Sequence, residues 1–365
     1  MKMLGAISRP KTAAPIIETL DLDEPRAGEV LVRLVATGIC HTDITVHGRA
    51  MEGGIVLGHE GAGVIERVGP GVSCLKPGDH VVLSYSFCGH CAPCLRGDHS
   101  YCDEVMARNF GGLRADSTSA LSLNGKPVMA RFFGQSSFAQ YAIAEEGSVV
   151  KVGKDVPLEL LGPLACGLMT GAGAVLNAFK LRPGQSIAVF GAGSVGLAAV
   201  MAARIAGASR IIAIDKVGSR LEMARELGAT ETIEPARGDS AAAVRALSPG
   251  GVDFSLNTTT APAIFSAALD CLAQQGTMGV VTSSTETPWT PDMGAFLRGG
   301  RRMRAILMGD ATPTTFIPLL IDFYRQGRFP FDKIIKFYPF EEIAQAFADS
   351  EAGKTIKPVL RMPSS

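Results

Sequence analysis

Apolar positions fall into two regimes along the chain. Up to about residue 165 they come in short runs rich in Val and Ile, at 30–35, 61–68, 80–84, 138–144 and 148–152. Arg26-Ala27-Gly28, Gly69-Pro70-Gly71 and Lys76-Pro77-Gly78-Asp79 break these runs as turns. Such spacing predicts a β-rich domain of short strands. After residue 185 strand-like runs alternate with helical ones. Strands are predicted at 186–190, 210–215, 251–257 and 276–282, and helices at 195–206, 219–227 and 262–274. This alternation predicts a parallel sheet with helices on both faces. Past about Ile306 the pattern gives a helix at 315–326, a strand at 334–339, a helix at 340–348 and a last strand at 356–360.

The 365 residues carry 35 Lys+Arg against 35 Asp+Glu, with 47% hydrophobic and 19% charged residues. That is a globular composition, and the length favours two domains. Charge neutrality argues against nucleic acid or an anionic membrane as the main partner, since both require a basic face. Two uncharged stretches, 160–179 and 185–203, are long enough to span a bilayer. The first holds Pro163 and Gly162, Gly167, Gly171 and Gly173; the second holds Gly191, Gly193 and Gly196. Glycine at that density fits buried turns and helix starts, so no membrane span is expected. Residues 1–15 lack the apolar core of a secretory leader. The eight cysteines are therefore expected to be reduced in a cytoplasmic protein, and a cysteine cluster reads first as a metal site.

Three constellations carry chemistry. Phe190-Gly191-Ala192-Gly193-Ser194-Val195-Gly196 follows a predicted strand and opens a helix. Gly191 permits the turn, Gly193 lets backbone approach a pyrophosphate, and Gly196 allows close helix–strand packing. Asp215 ends the next strand, where a carboxylate accepts hydrogen bonds from the ribose hydroxyls of NAD and repels the 2′-phosphate of NADP. A purely structural glycine turn is the rival reading. Cys88-x2-Cys91-x2-Cys94-x7-Cys102 can close a tetrahedral zinc site with no open position. An iron–sulfur cluster, or His90 or His99 in place of one thiol, is the alternative. The third set is dispersed. Cys40, His59 and Cys166 each lie among small residues, and together they form the donor set of a catalytic zinc with one open position. Taken singly, each thiol could be a buried small hydrophobe and His59 an ordinary hydrogen-bonded histidine. Asp43 and Glu60 adjoin them as supporting carboxylates or alternative ligands. Cys74 and Cys271 read as structural.

These residues, in this order and spacing, resemble the zinc-dependent medium-chain alcohol dehydrogenases over essentially the whole chain, and their aryl or benzyl alcohol branch in particular. The resemblance implies an α/β protein. A GroES-like, β-rich catalytic domain would cover 1–167 and 307–365, with a structural-zinc lobe at about 86–104. A Rossmann domain with a doubly wound parallel sheet would cover 168–306. It further implies NAD, two zinc ions per chain, a small alcohol or aldehyde as the partner molecule, and a homo-oligomer, dimer or tetramer. Cys40, His59 and Cys166 would hold the catalytic zinc, and Thr42 would hydrogen-bond the alcohol oxygen. Gly191, Gly193, Val195 and Gly196 would carry the cofactor pyrophosphate, with His41 and Lys357 as basic contacts to it. Asp215 and Arg220 would flank the adenosine ribose, and Thr170 the nicotinamide.

Some positions depart from the family. Thr45 stands where many relatives have the histidine ending a proton relay; His47 or water would then take its place. Met106 stands near where the glutathione-dependent formaldehyde branch has an arginine, although Glu52 resembles one of that branch's acids. Ser84, Met106, Phe132, Phe133 and Met308 align with the substrate pocket, an apolar lining suited to an aryl or allylic primary alcohol. The rival functions are the formaldehyde branch, a zinc-free quinone-reductase-like enzyme, and a non-catalytic nucleotide-binding protein on the same fold.

Overall fold

The computed structural model describes residues 1–49, 53–235, 240–282 and 289–363; Glu52 lies outside them. Contacts divide the chain into two compact units. The first comprises Met1–Cys166, Thr312–Ile321 and Ile334–Ser365. Its larger sheet is built around the strand Glu29–Gly38, which pairs antiparallel with Gly61–Val68, Tyr141–Glu145 and Lys357–Arg361. Val30, Val32 and Leu34 share one face of that strand and pack on Ile65, Val81, Leu83, Ala142, Ala144 and Val149. Each such aliphatic side chain contributes about 1.5–3 kcal/mol on burial. That is why the Val- and Ile-rich runs of the sequence become these strands. A second sheet joins Lys2–Ser8, Ile16–Leu22 and three short strands.

The second unit comprises Gly167–Ala311 and Asp322–Lys333. Its six strands are all parallel, in the order 231–233, 210–214, 186–190, 252–257, 272–280, 302–305. The order reverses beside Ser186–Phe190, so the glycine loop 191–196 leaves the carboxyl end of the strand at the topological switch point. Ligands bind there in open α/β sheets.

The structure departs from the sequence pattern in three places. The helix expected at 262–274 stops at Asp270, and Leu272–Val280 is already strand. The polar tail Ala273–Gln275 has helical propensity, but Val252 pairs with Leu272 and a bulge then absorbs the excess residues, with Gln275 at φ +60°. The expected domain edges at 167/168 and 306/307 also shift. Residues 307–311 belong with the second unit because Gly309 packs on Gly173 and accepts from Asn177 Nδ2 at 3.2 Å. Residues 322–333 belong there because Lys333 pairs with Glu226 and Arg328 donates to the Ile205 carbonyl. Third, the strands Lys2–Ser8 and Ile16–Leu22 left little pattern, since the latter alternates only partly and sits at a sheet face that stays half-exposed. Among the described residues no helix is long and apolar enough to cross a membrane.

Candidate metal centre and nucleotide loop

Three separate segments of the first unit converge on one point. The strand Glu29–Gly38 delivers Cys40, which starts the helix His41–His47. A turn at Gly58, held at φ +88° where a Cβ would collide with the Phe138 backbone, delivers His59. The turn Gly162–Ala165 delivers Cys166, and a Cβ on Gly162 would lie 2.2 Å from the Glu60 carbonyl. The donor atoms of Cys40, His59, Glu60 and Cys166 all lie within 4.8 Å of one another.

Asp43 ties the first two segments together. Its fully buried carboxylate accepts the Cys40 amide at 2.8 Å and the Gly58 amide at 3.1 Å, and stands 3.0 Å from His59 Nδ1. A proton on Nδ1 directed at Asp43 leaves the lone pair on Nε2, and Nε2 is buried without a hydrogen-bond partner. A buried, unpaired imidazole nitrogen facing two thiols fits a metal ligand and is costly as anything else. A hydrogen bond between the two thiols holds Cys40 well below the ordinary range and pushes Cys166 well above it. Burial works to lower His59, but the Asp43 carboxylate outweighs it and raises the imidazole well above its usual value. A metal entering this set therefore expels protons, which makes its affinity pH-dependent.

Glu60 and Lys357 form a buried pair behind the centre. Lys357 is 1% exposed, and Nζ reaches both Glu60 oxygens at 2.9 Å and the Ile39 carbonyl at 3.1 Å. Burial raises Glu60, with Lys357 opposing; Lys357 is itself raised, Glu60 overcoming its burial. All three ammonium hydrogens are thus committed within the domain. Lys357, expected at the cofactor pyrophosphate, is paired with Glu60. Gly38 makes room for this, since a Cβ there would lie 2.0 Å from Glu60 Oε2.

The four-cysteine segment closes on itself. The sulfurs of Cys88, Cys91, Cys94 and Cys102 lie within 4.8 Å of one another, with 4.0 Å between Cys88 and Cys94 and 3.9 Å between Cys91 and Cys102. A tetrahedral zinc with Zn–S of about 2.3 Å has edges of about 3.8 Å, so the four fit one ion. Backbone amides of Cys91 and Glu104 point at Cys88 and Cys102 sulfurs. Cys91 is lowered to about 7, chiefly by a backbone hydrogen bond from Asp103; burial pushes Cys94 up to about 12. His99 instead stacks on Phe87 at 4.1 Å, and the largely exposed His90 bonds the Cys88 carbonyl through Nδ1.

In the second unit Gly191 has φ +96°, and a Cβ on Gly196 would lie 1.8 Å from the Gly191 carbonyl. Gly193, which caps the helix Ser194–Ile205, has nothing within 4 Å of a would-be Cβ. The loop is therefore packed at two glycines and open at the third, which is the cradle a pyrophosphate needs. Val195 lies under it, its carbonyl against Gly171. Asp215 accepts the Ala192 amide at 2.6 Å and the Val217 amide at 2.9 Å, with Arg220 Nη1 4.0 Å away. Thr170 is buried in the helix Gly167–Gly173.

Of the remaining predicted positions, Thr42, Ser84, Phe132 and Phe133 lie at or next to the centre's donor residues. Thr42 Oγ1 stands 3.8 Å from Cys40 Sγ, and His41 is exposed at the start of the same helix. Thr45 Oγ1 donates to the His41 carbonyl, and His47 is buried with Nε2 on the Thr12 carbonyl and its ring against Phe347. Among the described residues no side-chain hydrogen bond joins either to Thr42. Ser84 is fully enclosed, its hydroxyl donating to the Ala165 carbonyl beside Cys166. Phe132 and Phe133 are buried against His59. Met106 is 65% exposed, whereas Phe110, one turn on, meets both of these rings edge-on. Met308 is buried at φ +51° in the second unit. Sequence reasoning missed Phe110, and also Gln135, whose amide bonds the His59 carbonyl and the Gly61 amide. No motif marks either residue, because their partners are distant in sequence.

A parallel-sheet unit with a glycine loop at its switch point, in one chain with a β-rich unit carrying a Cys–His–Cys centre and a four-thiol lobe, defines a metal-containing nucleotide-dependent oxidoreductase. Comparison with known proteins agrees. The alcohol dehydrogenase GroES-like domain family matches residues 26–154, and the zinc-binding dehydrogenase family matches residues 194–325. The chain is 45% identical to geraniol dehydrogenase of Castellaniella defragrans, over 94% of this chain and 93% of that one. It is 37% identical to alcohol dehydrogenase class-3 of Myxine glutinosa, over 95% and 94%. The crystal structure of benzyl alcohol dehydrogenase from Acinetobacter calcoaceticus superimposes with a TM-score of 0.96 at 45% identity, each chain covered in full. The chain belongs to the zinc-dependent alcohol dehydrogenases of the medium-chain dehydrogenase family.

Proposed function

We propose that the protein oxidises an aryl or allylic primary alcohol reversibly to its aldehyde, using NAD, with one catalytic and one structural zinc per chain. The observation that carries the reading is the buried, unpaired His59 Nε2 among the Cys40 and Cys166 thiols. Relatives named for geraniol, an allylic alcohol, and for benzyl alcohol, an aryl one, support the substrate class.

Zinc bound by Cys40, His59 and Cys166 supplies a Lewis acid for the alcohol oxygen, and NAD on the glycine loop supplies the hydride acceptor. The rest falls to the chain. Asp43 holds His59 in the Nδ1-protonated tautomer and fixes the Cys40 turn through its amide. The Thr42 hydroxyl, two residues on from Cys40, takes the alcohol proton and passes it to water; Thr45 and His47 already bond backbone carbonyls elsewhere. Asp215, fixed by the Ala192 and Val217 amides, presents its carboxylate for ribose hydroxyls and disfavours a 2′-phosphate. Association of chains is part of the proposal: the strand Arg302–Ala305 is an exposed sheet edge, flanked by exposed Leu297 and Leu307.

The test is a panel of alcohols assayed with both cofactors, alongside metal analysis and size-exclusion chromatography. The reading expects kcat/KM for benzyl and C10 allylic alcohols at least about tenfold above ethanol, a gap of about 1.4 kcal/mol, with NAD preferred. It expects two zinc per chain, falling to one in Cys166→Ser. Equal kcat/KM for ethanol and benzyl alcohol would refute the substrate class.

A further inference from the structure

Phe133 aligns with a substrate wall, yet its ring is spent on a metal-ligand histidine. The ring stacks on His59 at 4.4 Å with 22° between planes, and Phe132 meets the same imidazole edge-on at 5.3 Å. Phe133 is only 8% exposed. To reach this position it adopts φ +51°, ψ +35°, a left-handed backbone that is unfavourable for a residue with a Cβ. Gly134 at φ +69° and Ser136 at φ +52° continue the distortion.

The surrounding structure holds the loop in this shape. Arg131, buried just before the two rings, bonds Glu145 at 2.8 Å and reaches Glu29 at 3.4 Å. Ser136 Oγ accepts the Phe132 amide and donates to the Val56 carbonyl. Gln135 grips the backbone of the ligand segment at His59 O and Gly61 N. One loop thus holds His59 by its backbone and by its ring face. Asp43 anchors the imidazole at a single atom, Nδ1. A hydrogen bond at one atom leaves the ring free to tilt; a stacked ring fixes its plane.

We infer that Phe133 is a positioning residue for His59: the left-handed backbone is retained because it lays a flat ring on the imidazole and keeps Nε2 facing Cys40 and Cys166. The inference rests on the reading of Cys40, His59 and Cys166 as a zinc-ligand set.

The experiment measures zinc release to a chelator from each site, with thermal unfolding of the metal-free protein and a kcat and KM split for benzyl alcohol. Three variants are compared with the unmodified protein. Phe133→Leu keeps an apolar side chain and loses the flat ring. Phe133→Tyr keeps the ring. Phe110→Leu removes a ring that contacts Phe133 but not His59. Phe133→Leu is expected to release the catalytic zinc about tenfold faster, as loss of an orienting partner does. Lobe zinc release and metal-free unfolding stay close to the unmodified protein, and kcat falls more than KM rises. Phe133→Tyr restores slow release, and Phe110→Leu leaves it unchanged. Unchanged release in Phe133→Leu overturns the inference, as does equal acceleration at both zinc sites or in Phe110→Leu. If the unmodified protein holds zinc only in the lobe, the metal-site reading fails first and takes the inference with it.

Discussion

Asp43 shows how much one side chain can settle. It spans the Cys40 amide, the Gly58 amide and the His59 ring, so it sets both the path of the chain and the tautomer of a ligand. Asp43→Ala is expected to weaken zinc binding at the Cys40–His59–Cys166 centre by about 10- to 100-fold, while lobe zinc is retained; chelator competition measures both. At the cofactor loop, Asp215→Ala should narrow the NAD preference seen in kcat/KM. It also frees the Ala192 amide, so KM for NAD should rise rather than stay level. At the proton relay, His47→Asn should leave the pH profile of kcat unchanged, because His47 bonds Thr12 and packs on Phe347. A shifted profile would restore His47 to the relay.

At the scale of elements, Gly196 and Gly193 of the loop differ in what they need. Gly196→Ala places a methyl 1.8 Å from the Gly191 carbonyl, where helix and strand are closest. It should cost about 1–3 kcal/mol of stability, read as a lower thermal midpoint. Gly193→Ala meets nothing, so it should fold normally and lose NAD affinity in fluorescence titration. If both variants unfold alike, the loop is a structural turn and the cradle reading fails. The lobe is built from short turns, Ala92–Leu95 and His99–Tyr101, in which the buried side chains are Cys94 and Ser100, so the four sulfurs carry much of its order. Cys94→Ala should therefore lower stability and zinc content together.

Within the first unit, a chain of ion pairs links segments distant in sequence. Glu29 is gripped by Arg114 at 2.9 Å and reached by Arg131, which continues to Glu145 and, through Arg108, to Glu104 beside Cys102. Burial opposes ionisation of Glu29, but the Arg114 hydrogen bonds and the nearby backbone amide outweigh it and hold its carboxyl below the usual range. A depressed folded value means the stabilisation is present above the unfolded value, about 4.3, and fades as pH falls through the folded one. Acid titration of stability should show this loss below about pH 4. Glu29→Gln should flatten that slope, while costing about 1–3 kcal/mol at neutral pH, since Arg114 keeps Asp23 and Arg131 keeps Glu145 as carboxylate partners.

Local chemistry was enough to reveal much of this protein. Val- and Ile-rich runs gave the central strands at 61–68 and 186–190, because a buried strand needs little beyond apolar side chains and a turn at each end. The glycine spacing and the four cysteines were legible because their partners lie within a few residues, so spacing alone fixes geometry. The Cys40–His59–Cys166 set was readable only as three isolated donors that together match a zinc-ligand set, joined by the resemblance to a known family. The tertiary structure decided everything that depends on distant partners. It committed Lys357 to Glu60 across almost the whole chain, turned Phe132 and Phe133 onto His59, enclosed Ser84 and moved 322–333 into the second unit. A side chain's rotamer and partner are set by packing between segments far apart in sequence, and no local pattern encodes which of those segments will meet.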